Sequence, residues 1–314
     1  MNESEPLFGF INIHKPPGMT SHDVVNIVRR KFGIKHVGHG GTLDPLAEGV
    51  LPIAVGSACR LIRFLAQKKI YLAGILLGKQ TTTDDITGDV MTDADASHLR
   101  PADVEAALKK FVGEIDQVPP NFSAIHVDGK RLYELARAGN VTVEVKPRRV
   151  QIEKVDLIEE SSSLPEIVVR IECSSGTYIR SIARDLGFAL GVGGCMTTLI
   201  RERSGAFHLS EAILIETLRK DQTVATDCLL DPLRVLQENE ALAHCPVDKQ
   251  TAIDVMHGKI LNAQALHLPV HLPGTTQETY VLISHESKLL AVCVLTGNQL
   301  KPEVVIANAV TKDR

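Results

Sequence analysis

The spacing of apolar residues in the first three quarters of the chain predicts strands that are mixed with helices. Residues 8–14 alternate apolar and polar side chains, as an opening strand does. Residues 20–23 (Thr-Ser-His-Asp) have the composition of a helix N-cap, and the apolar residues that follow continue an amphipathic helix. By the same patterns we predict β-rich segments over residues 50–55, 70–77, 121–127, 141–158 and 166–173, and helices over residues 58–67, 101–112, 131–138 and 177–190. Because these elements follow no strict βαβ order, the pattern predicts an α+β fold with a mixed sheet.

From about residue 244 the pattern changes to short β runs. Residues 280–284 and 289–295 are two of them, and the second is followed by a Thr-Gly-Asn turn. No segment there predicts a helix long enough for an α/β unit. We therefore predict a first domain over residues 1–243 and a small β-barrel-like domain over residues 244–314, with the boundary in the polar stretch 237–243.

Composition narrows the class of protein. The 314 residues are 44% hydrophobic and 23% charged, which is typical of a globular protein. No apolar stretch approaches the roughly 18–20 residues that span a bilayer, and the acidic N-terminus does not resemble a signal peptide. The six cysteines form no C-x-x-C pair, which favours reduced thiols. We therefore expect a cytoplasmic protein that does not contact a membrane.

The charge distribution leaves two interpretations open. The net charge is −4, but Lys and Arg outnumber Asp and Glu by two in residues 1–150 and are outnumbered by six in residues 151–314. Basic residues also cluster within segments 29–35 and 130–149, the second of which contains Lys130 and Arg131. Such clusters are usually solvated faces, but they can also form a strip of phosphate contacts on a nucleic-acid-binding protein.

Most familiar catalytic motifs are absent from the sequence. Residues 74–79 lack P-loop spacing, and the glycines at 191–194 follow a predicted helix, whereas a dinucleotide fingerprint follows a strand. The sequence has no G-x-S-x-G or H-E-x-x-H motif. His267 and His271 have a metal-ligand spacing, but no cysteine pair or acidic partner set accompanies them. We therefore expect neither a metal nor a cofactor.

Asp44 is the most unusual carboxylate in the sequence. It lies in segment 37–49, where four glycines and a proline predict a long, shaped loop without a regular element. An Asp-Pro dipeptide commonly serves only to make a turn. The alternative is a carboxylate nucleophile on a rigid loop that a polymer backbone can approach closely. Local sequence alone is compatible with both interpretations.

Several separated sequence blocks, taken together and in order, decide between the two interpretations of Asp44. They are His14-Lys15-Pro16-Pro17-Gly18-Met19-Thr20-Ser21, Gly38-His39-Gly40-Gly41-Thr42-Leu43-Asp44-Pro45-Leu46-Ala47, Lys69-Ile70-Tyr71 with Leu77-Gly78 and Thr81-Thr82-Thr83-Asp84, Gln117-Val118-Pro119-Pro120-Asn121-Phe122-Ser123-Ala124, Gly129-Lys130-Arg131-Leu132-Tyr133-Glu134 and Gly176-Thr177-Tyr178-Ile179-Arg180. Over nearly its whole length the chain resembles the bacterial tRNA pseudouridine synthase B family, which isomerises uridine 55 in the T loop of tRNA.

The resemblance implies a role for particular residues. It implies that Asp44 is the catalytic nucleophile, that Arg180 pairs with it, and that Tyr71 packs on the target base and acts near the proton at C5. Substrate contacts are implied for six further residues: His39, Tyr178, Leu199, Lys15, Lys130 and Arg131. The family's fold is a mixed, mainly antiparallel catalytic domain with a C-terminal PUA-like RNA-binding domain.

The resemblance also implies a reaction without a cofactor, the tRNA T-arm as partner, and a monomer without an obligate protein partner. The sequence departs from the family's usual pattern at His14, Glu48, His126 and Ser175. These departures put RNA affinity in doubt more than activity, because none replaces the aspartate, tyrosine or arginine. Two other classes stay open: an RNA-binding protein or tRNA folding chaperone, and a nucleoside hydrolase or glycosidase, which would release free base and need a second carboxylate.

Overall fold

The computed structural model describes residues 7–120, 122, 126–127, 130–131, 145–158, 164–220, 227–266, 268 and 279–306. The strands are β1 (Gly9–Lys15), β2 (Val37–His39), β3 (Glu48–Val55), β4 (Lys69–Leu77), β5 (Lys79–Thr81), β6 (Val90–Asp93), β7 (Gly113–Gln117), β8 (His126–Val127), β9 (Lys130–Arg131), β10 (Arg148–Leu157), β11 (Glu166–Cys173), β12 (Gly194–Ser204), β13 (Phe207–His208), β14 (Ile213–Leu214), β15 (Leu242–Pro246), β16 (Leu261–Asn262), β17 (Thr279–His285), β18 (Lys288–Thr296) and β19 (Gln299–Val305). The α-helices are α1 (Ser21–Phe32), α2 (Pro101–Leu108), α3 (Ile179–Ala189), α4 (Ile215–Lys220), α5 (Pro232–Gln237) and α6 (Lys249–Met256). The 3₁₀ helices are Gly56–Phe64, Lys109–Phe111, Leu209–Glu211 and Gln264–Leu266.

The chain divides into two compact units. The first contains Met1–Pro45, Gly49–Gln67 and Ser204–Arg314. In this unit β1 runs antiparallel to β3 from the pair Gly9 and Val55 to the pair Lys15 and Gly49, and parallel to β14. Strand β2 pairs antiparallel with β3. These strands therefore form a mixed, mainly antiparallel sheet, as predicted.

The C-terminal part of the first unit forms a separate five-stranded sheet. Its order is β15-β17-β18-β19-β16, and only the β15–β17 pair is parallel. Its buried face shares one hydrophobic cluster with the first sheet, since Leu282 and Val292 belong to the same cluster as Phe10, Phe64 and Leu236. The C-terminal sheet therefore contributes apolar area to the core beneath β1.

The second unit contains Leu46–Glu48 and Lys68–Arg203. Its strands follow the order β12-β4-β11-β10-β7, and the pairs β4–β11, β10–β11 and β7–β10 are all antiparallel. Helix α3 buries Ile179, Ile182 and Leu186 on one face, the periodicity that predicted it.

The local signals at the first helix are confirmed. Thr20 is the N-cap of α1, and its hydroxyl accepts a hydrogen bond from Asp23 N at 3.1 Å. The Asp23 carboxylate accepts from Thr20 N at 2.9 Å, so both halves of a capping box are present.

Two predictions about secondary structure are wrong. The helix predicted over residues 58–67 is the 3₁₀ helix Gly56–Phe64, in which Ala58, Leu61 and Phe64 are buried at the three-residue spacing that this helix requires. The loop 37–49 begins with the short strand β2, which the ladder to β3 stabilises. Two further elements were not predicted, namely strand β12 and the eight-residue helix α6, which is capped by Asp248.

Some predictions lie outside the described residues. These are most of the strand 121–127, the helix 131–138, and the pair His267 and His271. The side chains of His126, Lys130 and Arg131 also lie outside the described part, although Lys130 and Arg131 form β9. None of the helices in the described ranges is long and apolar enough to cross a membrane.

Candidate active site

The backbone on both sides of Asp44 is tied to the segment that leads into α1. Ser21 Oγ accepts a hydrogen bond from Leu43 N at 2.9 Å and donates to Leu43 O at 3.1 Å. On the other side, Pro45 O accepts from Gly18 N at 2.7 Å. Asp44 itself is partly exposed, whereas Leu43 is buried. The loop thus presents this carboxylate from a backbone that is fixed on either side.

Lys15 also links the Asp44 loop to the segment before α1. Its side chain is 0% exposed, and its ammonium donates to Pro16 O at 2.8 Å and to Met19 O at 2.7 Å. A third, longer bond of 3.5 Å reaches Pro45 O. A buried cation requires such partners, and these carbonyls hold the turn around Gly18, whose φ of 79° favours glycine. The described contacts of Lys15 are thus within the protein, and its contact with substrate stays a prediction.

His39 ends β2, directly before the glycines of the same loop. It pairs with Ile53 of β3 and is half-buried. The next residue, Gly40, donates to Pro52 O at 2.8 Å, and a Cβ there would lie only 2.8 Å from Leu65 Cδ1. A larger residue at this position would therefore have to displace the end of the Leu65 side chain, while the bond to Pro52 O holds the backbone where the strand ends and the loop begins.

Tyr71 lies on β4, in the second unit. Its ring is buried, and the strand position pairs with Ile171 of β11. Lys69 is two residues earlier and so faces the same side of the strand. Burial, with a smaller effect from the positive charge of Arg201, lowers the pKa of the Lys69 ammonium to about 7. This face of β4 therefore contains a lysine that loses its charge easily.

Arg180, in the first turn of α3, is 6% exposed and bound to backbone carbonyls. Its Nη1 donates to Thr83 O and its Nη2 to Phe122 O, each at 3.0 Å. Its guanidinium also lies 3.6 Å from the Asp85 carboxylate. Asp85 accepts from Thr83 Oγ1 at 2.8 Å and from Thr87 N at 3.0 Å. The predicted pairing of Arg180 with Asp44 stays a prediction.

The residue before α3 is fixed by an amide. Tyr178 N donates to Gln117 Oε1 at 2.7 Å, and Gln117 Nε2 donates to Tyr178 O at 3.0 Å. Gln117 is buried, so both bonds are shielded from water. Leu199 is a buried residue of β12.

The predicted site residues thus fall into two groups. Lys15, His39 and Asp44 lie in the first unit, and the Asp44 loop is tied to Lys15. Tyr71, Tyr178, Arg180 and Leu199 lie in the second unit. In the described part of the chain, no group of three or more His, Cys, Asp or Glu side chains could hold a metal ion.

Sequence reasoning missed the residues that fix these side chains. Ser21 and Gln117 stand inside blocks of the resemblance, and Asp85 directly follows one, but no local pattern indicates their hydrogen bonds. The only signal was their position beside the predicted site residues.

Two family models and several relatives match the chain over most of its length. Residues 29–179 match the N-terminal domain of the TruB family pseudouridylate synthases, and residues 180–241 match the tRNA pseudouridylate synthase B C-terminal domain. The tRNA pseudouridine synthase B of Gloeobacter violaceus is 40% identical over 95% of this chain and 98% of its own length. That of Synechocystis sp. is 42% identical over 96% of this chain and 100% of its own length.

Solved structures share the fold. The chain resembles one in a Cbf5–Nop10–Gar1 complex, with a TM-score of 0.71 and 25% identity over 95% of this chain and 84% of the other. It also resembles one in an H/ACA RNP bound to a substrate RNA containing 2′-deoxyuridine, with a TM-score of 0.68 and 24% identity over 98% of this chain and 86% of the other. With the Asp44 loop intact and the family models matching more than half of its length, the chain belongs to the TruB family of pseudouridine synthases.

Proposed function

We propose that this RNA pseudouridine synthase converts uridine 55 in the T loop of tRNA into pseudouridine, without a cofactor and with Asp44 as its nucleophile. Family membership and relatives named tRNA pseudouridine synthase B support tRNA as the substrate. The reaction breaks the N1–C1′ bond of the nucleotide, turns the base and joins C5 to C1′. A proton leaves C5 and N1 gains one, so the product is an isomer and no redox partner is required.

The observation that carries this proposal is the fixed loop around Asp44. A carboxylate nucleophile must be held close to the sugar or base that it attacks, and small misplacements lower the rate steeply. Ser21 holds Leu43, and Gly18 and Lys15 hold Pro45, so the Asp44 backbone has little freedom. Its side chain is still accessible to a substrate.

Arg180, Tyr71 and the neighbouring residues complete the proposal. Arg180 pairs with the Asp44 carboxylate and orients it, since a guanidinium binds a carboxylate through charge-assisted hydrogen bonds. Tyr71 stacks on the extruded base and its hydroxyl acts near the C5 proton. His39 holds the opened T loop, and Tyr178 and Leu199 line the base pocket. Extracting a stacked base costs a few kcal/mol, which such contacts offset.

RNA binding extends beyond the reacting nucleotide in this proposal. Lys130 and Arg131 contact phosphates, and residues 244–314 form a PUA-like RNA-binding domain beside a catalytic domain of residues 1–243. The five-stranded sheet of the C-terminal region is the feature that supports this assignment. The protein acts on the T-arm as a monomer and needs no protein partner.

The test is a product analysis. Unmodified tRNA is incubated with the protein and digested to nucleosides, which are separated by chromatography. Pseudouridine without free uracil is the expected result. Free uracil would indicate a hydrolase, and tight binding without either product would indicate a binding protein.

A further inference from the structure

Helix α3 carries two arginines one turn apart, and both reach the same loop. Arg180 donates to Thr83 O and lies near the Asp85 carboxylate. Arg184 Nη1 donates to Asp84 Oδ2 at 2.9 Å. Residues four apart share a helix face. Three consecutive loop residues are therefore held from one face of α3.

Asp84 has an unusual backbone conformation. Its φ is 60°, in the left-handed region that non-glycine residues rarely adopt, and it is only 7% exposed. Its carbonyl accepts from Met196 N at 3.0 Å. Such a conformation persists where the surroundings hold the residue in place. The ion pair to Arg184 is one of the contacts that hold it.

Arg184 also binds the segment that contains the second carbonyl acceptor of Arg180, Phe122 O. Its Nη2 donates to Val118 O at 3.0 Å, and Ser181 Oγ donates to the same carbonyl at 2.8 Å. Val118 lies four residues before Phe122, whose carbonyl accepts from Arg180. Both carbonyl acceptors of Arg180 thus lie in segments that Arg184 holds, one through Asp84 and one through Val118.

We propose that the ion pair between the buried Asp84 and the half-buried Arg184 positions Arg180. It fixes the two carbonyls that orient the Arg180 guanidinium, and it contacts neither the substrate nor the reacting atoms. The effect on rate rests on the function proposed above, but the effect on the Arg180 side chain does not. Both arginines project from the same face of α3, so a change in the loop that Arg184 holds alters the position of the Arg180 guanidinium.

The test compares Asp84→Asn, Asp84→Gly, Arg184→Gln and the double variant Asp84→Asn/Arg184→Gln in the full chain. Asn keeps the size and tolerates a left-handed backbone, and Gly removes the strain as well as the carboxylate. Asp103→Asn is the matched control, because Asp103 pairs with Arg100 at the same 2.9 Å but on the surface. The readouts are the ¹⁵Nε NMR signal of Arg180, assigned with Arg180→Lys, the single-turnover rate at saturating enzyme, the Kd for tRNA and the Tm.

The Arg180 signal should move in all four Asp84 and Arg184 variants and stay unchanged in Asp103→Asn. We expect the saturating rate to fall about 10-fold in each single variant, with Kd within about 3-fold, because a misplaced group costs rate more than binding. The double variant should be no slower than the slower single variant, since the two residues act as one unit.

An Arg180 signal that is unchanged in all of these variants would overturn the proposal. If wild type is active, folded single variants with the wild-type saturating rate would also overturn it. A weaker Kd for tRNA with an unchanged rate would assign the ion pair to RNA binding. If the Arg180 signal moves in the variants but the wild-type protein makes no pseudouridine, the positioning role is upheld and the proposed function is refuted.

Discussion

Removing the Ser21 hydroxyl should slow the reaction by releasing the loop that carries Asp44. Ser21 is 3% exposed, and its hydroxyl bonds both the N–H and the carbonyl of the buried Leu43. Ser21→Ala leaves two buried backbone groups without these partners, and each such group costs about 1–3 kcal/mol. We therefore expect a free energy of unfolding lower by at least about 2 kcal/mol. We also expect a single-turnover rate lower by roughly 10–100-fold, because a shift of about 1 Å at a reacting group has that effect.

The assay combines urea unfolding with single-turnover pseudouridine formation on a tRNA transcript, at a temperature where every variant is folded. Thr20→Ala is the matched control, since it removes a hydroxyl from the adjacent residue and the N-cap of the same helix. Its loss costs about 1 kcal/mol of stability and leaves the bonds to Leu43 in place. A Ser21→Ala variant with the rate of Thr20→Ala would show that the bonds from Ser21 to Leu43 do not position Asp44.

Three further outcomes are expected. Tyr71→Phe should bind tRNA normally but turn over roughly 10²–10⁴-fold more slowly if the hydroxyl transfers a proton, whereas Tyr71→Leu should also bind less tightly by roughly 1–3 kcal/mol. An equal loss of Tm in both variants, with activity following the folded fraction, would make Tyr71 a packing residue. The pKa of Lys69 is lowered from its ordinary value of 10.5 to about 7 in the folded protein, so between these pH values the unfolded state binds more protons and the stability of wild type rises with pH. The stability of Lys69→Met relative to wild type should therefore decline from pH 7 to pH 10. A difference that is constant over this range would contradict the prediction. Leu282→Ala should cost about 2–5 kcal/mol with one unfolding transition, because Leu282 shares a cluster with Phe10; two transitions would show that the C-terminal sheet unfolds separately.

Local patterns predicted the elements whose determinants are close in sequence. The start of α1 depends on Thr20 and Asp23, three residues apart, and the apolar face of α3 repeats along one helix. The 3₁₀ helix at residues 56–64 was predicted with the wrong geometry, because apolar spacings of three and four overlap in a short segment. Strand β2 depends on pairing with β3, which its own three residues do not encode.

The contacts that fix the site could not be predicted in this way. Ser21 and Leu43 are 22 residues apart, Gln117 and Tyr178 are 61 apart, and Asp84 and Arg184 are 100 apart. Such contacts depend on the register of the sheets and on where each loop returns, and neither is a property of a local window. The blocks that resemble the family indicated Asp44, but only the fold shows why Lys15, the last residue of β1, is buried.

Release of tritium from C5 shows whether Asp44 is the nucleophile and whether one uridine of tRNA is its target. A tRNA transcript labelled with ³H at C5 of every uridine is incubated with wild type or Asp44→Asn, and the tritium freed into water is counted. We predict that wild type frees about one equivalent per tRNA, that a transcript with cytidine at position 55 frees none, and that Asp44→Asn is slower by on the order of 10⁴-fold or more while binding tRNA within a few-fold of wild type. Release at a comparable rate by Asp44→Asn would show that Asp44 is not the nucleophile, and undiminished release from the cytidine-55 transcript would show that uridine 55 is not the target.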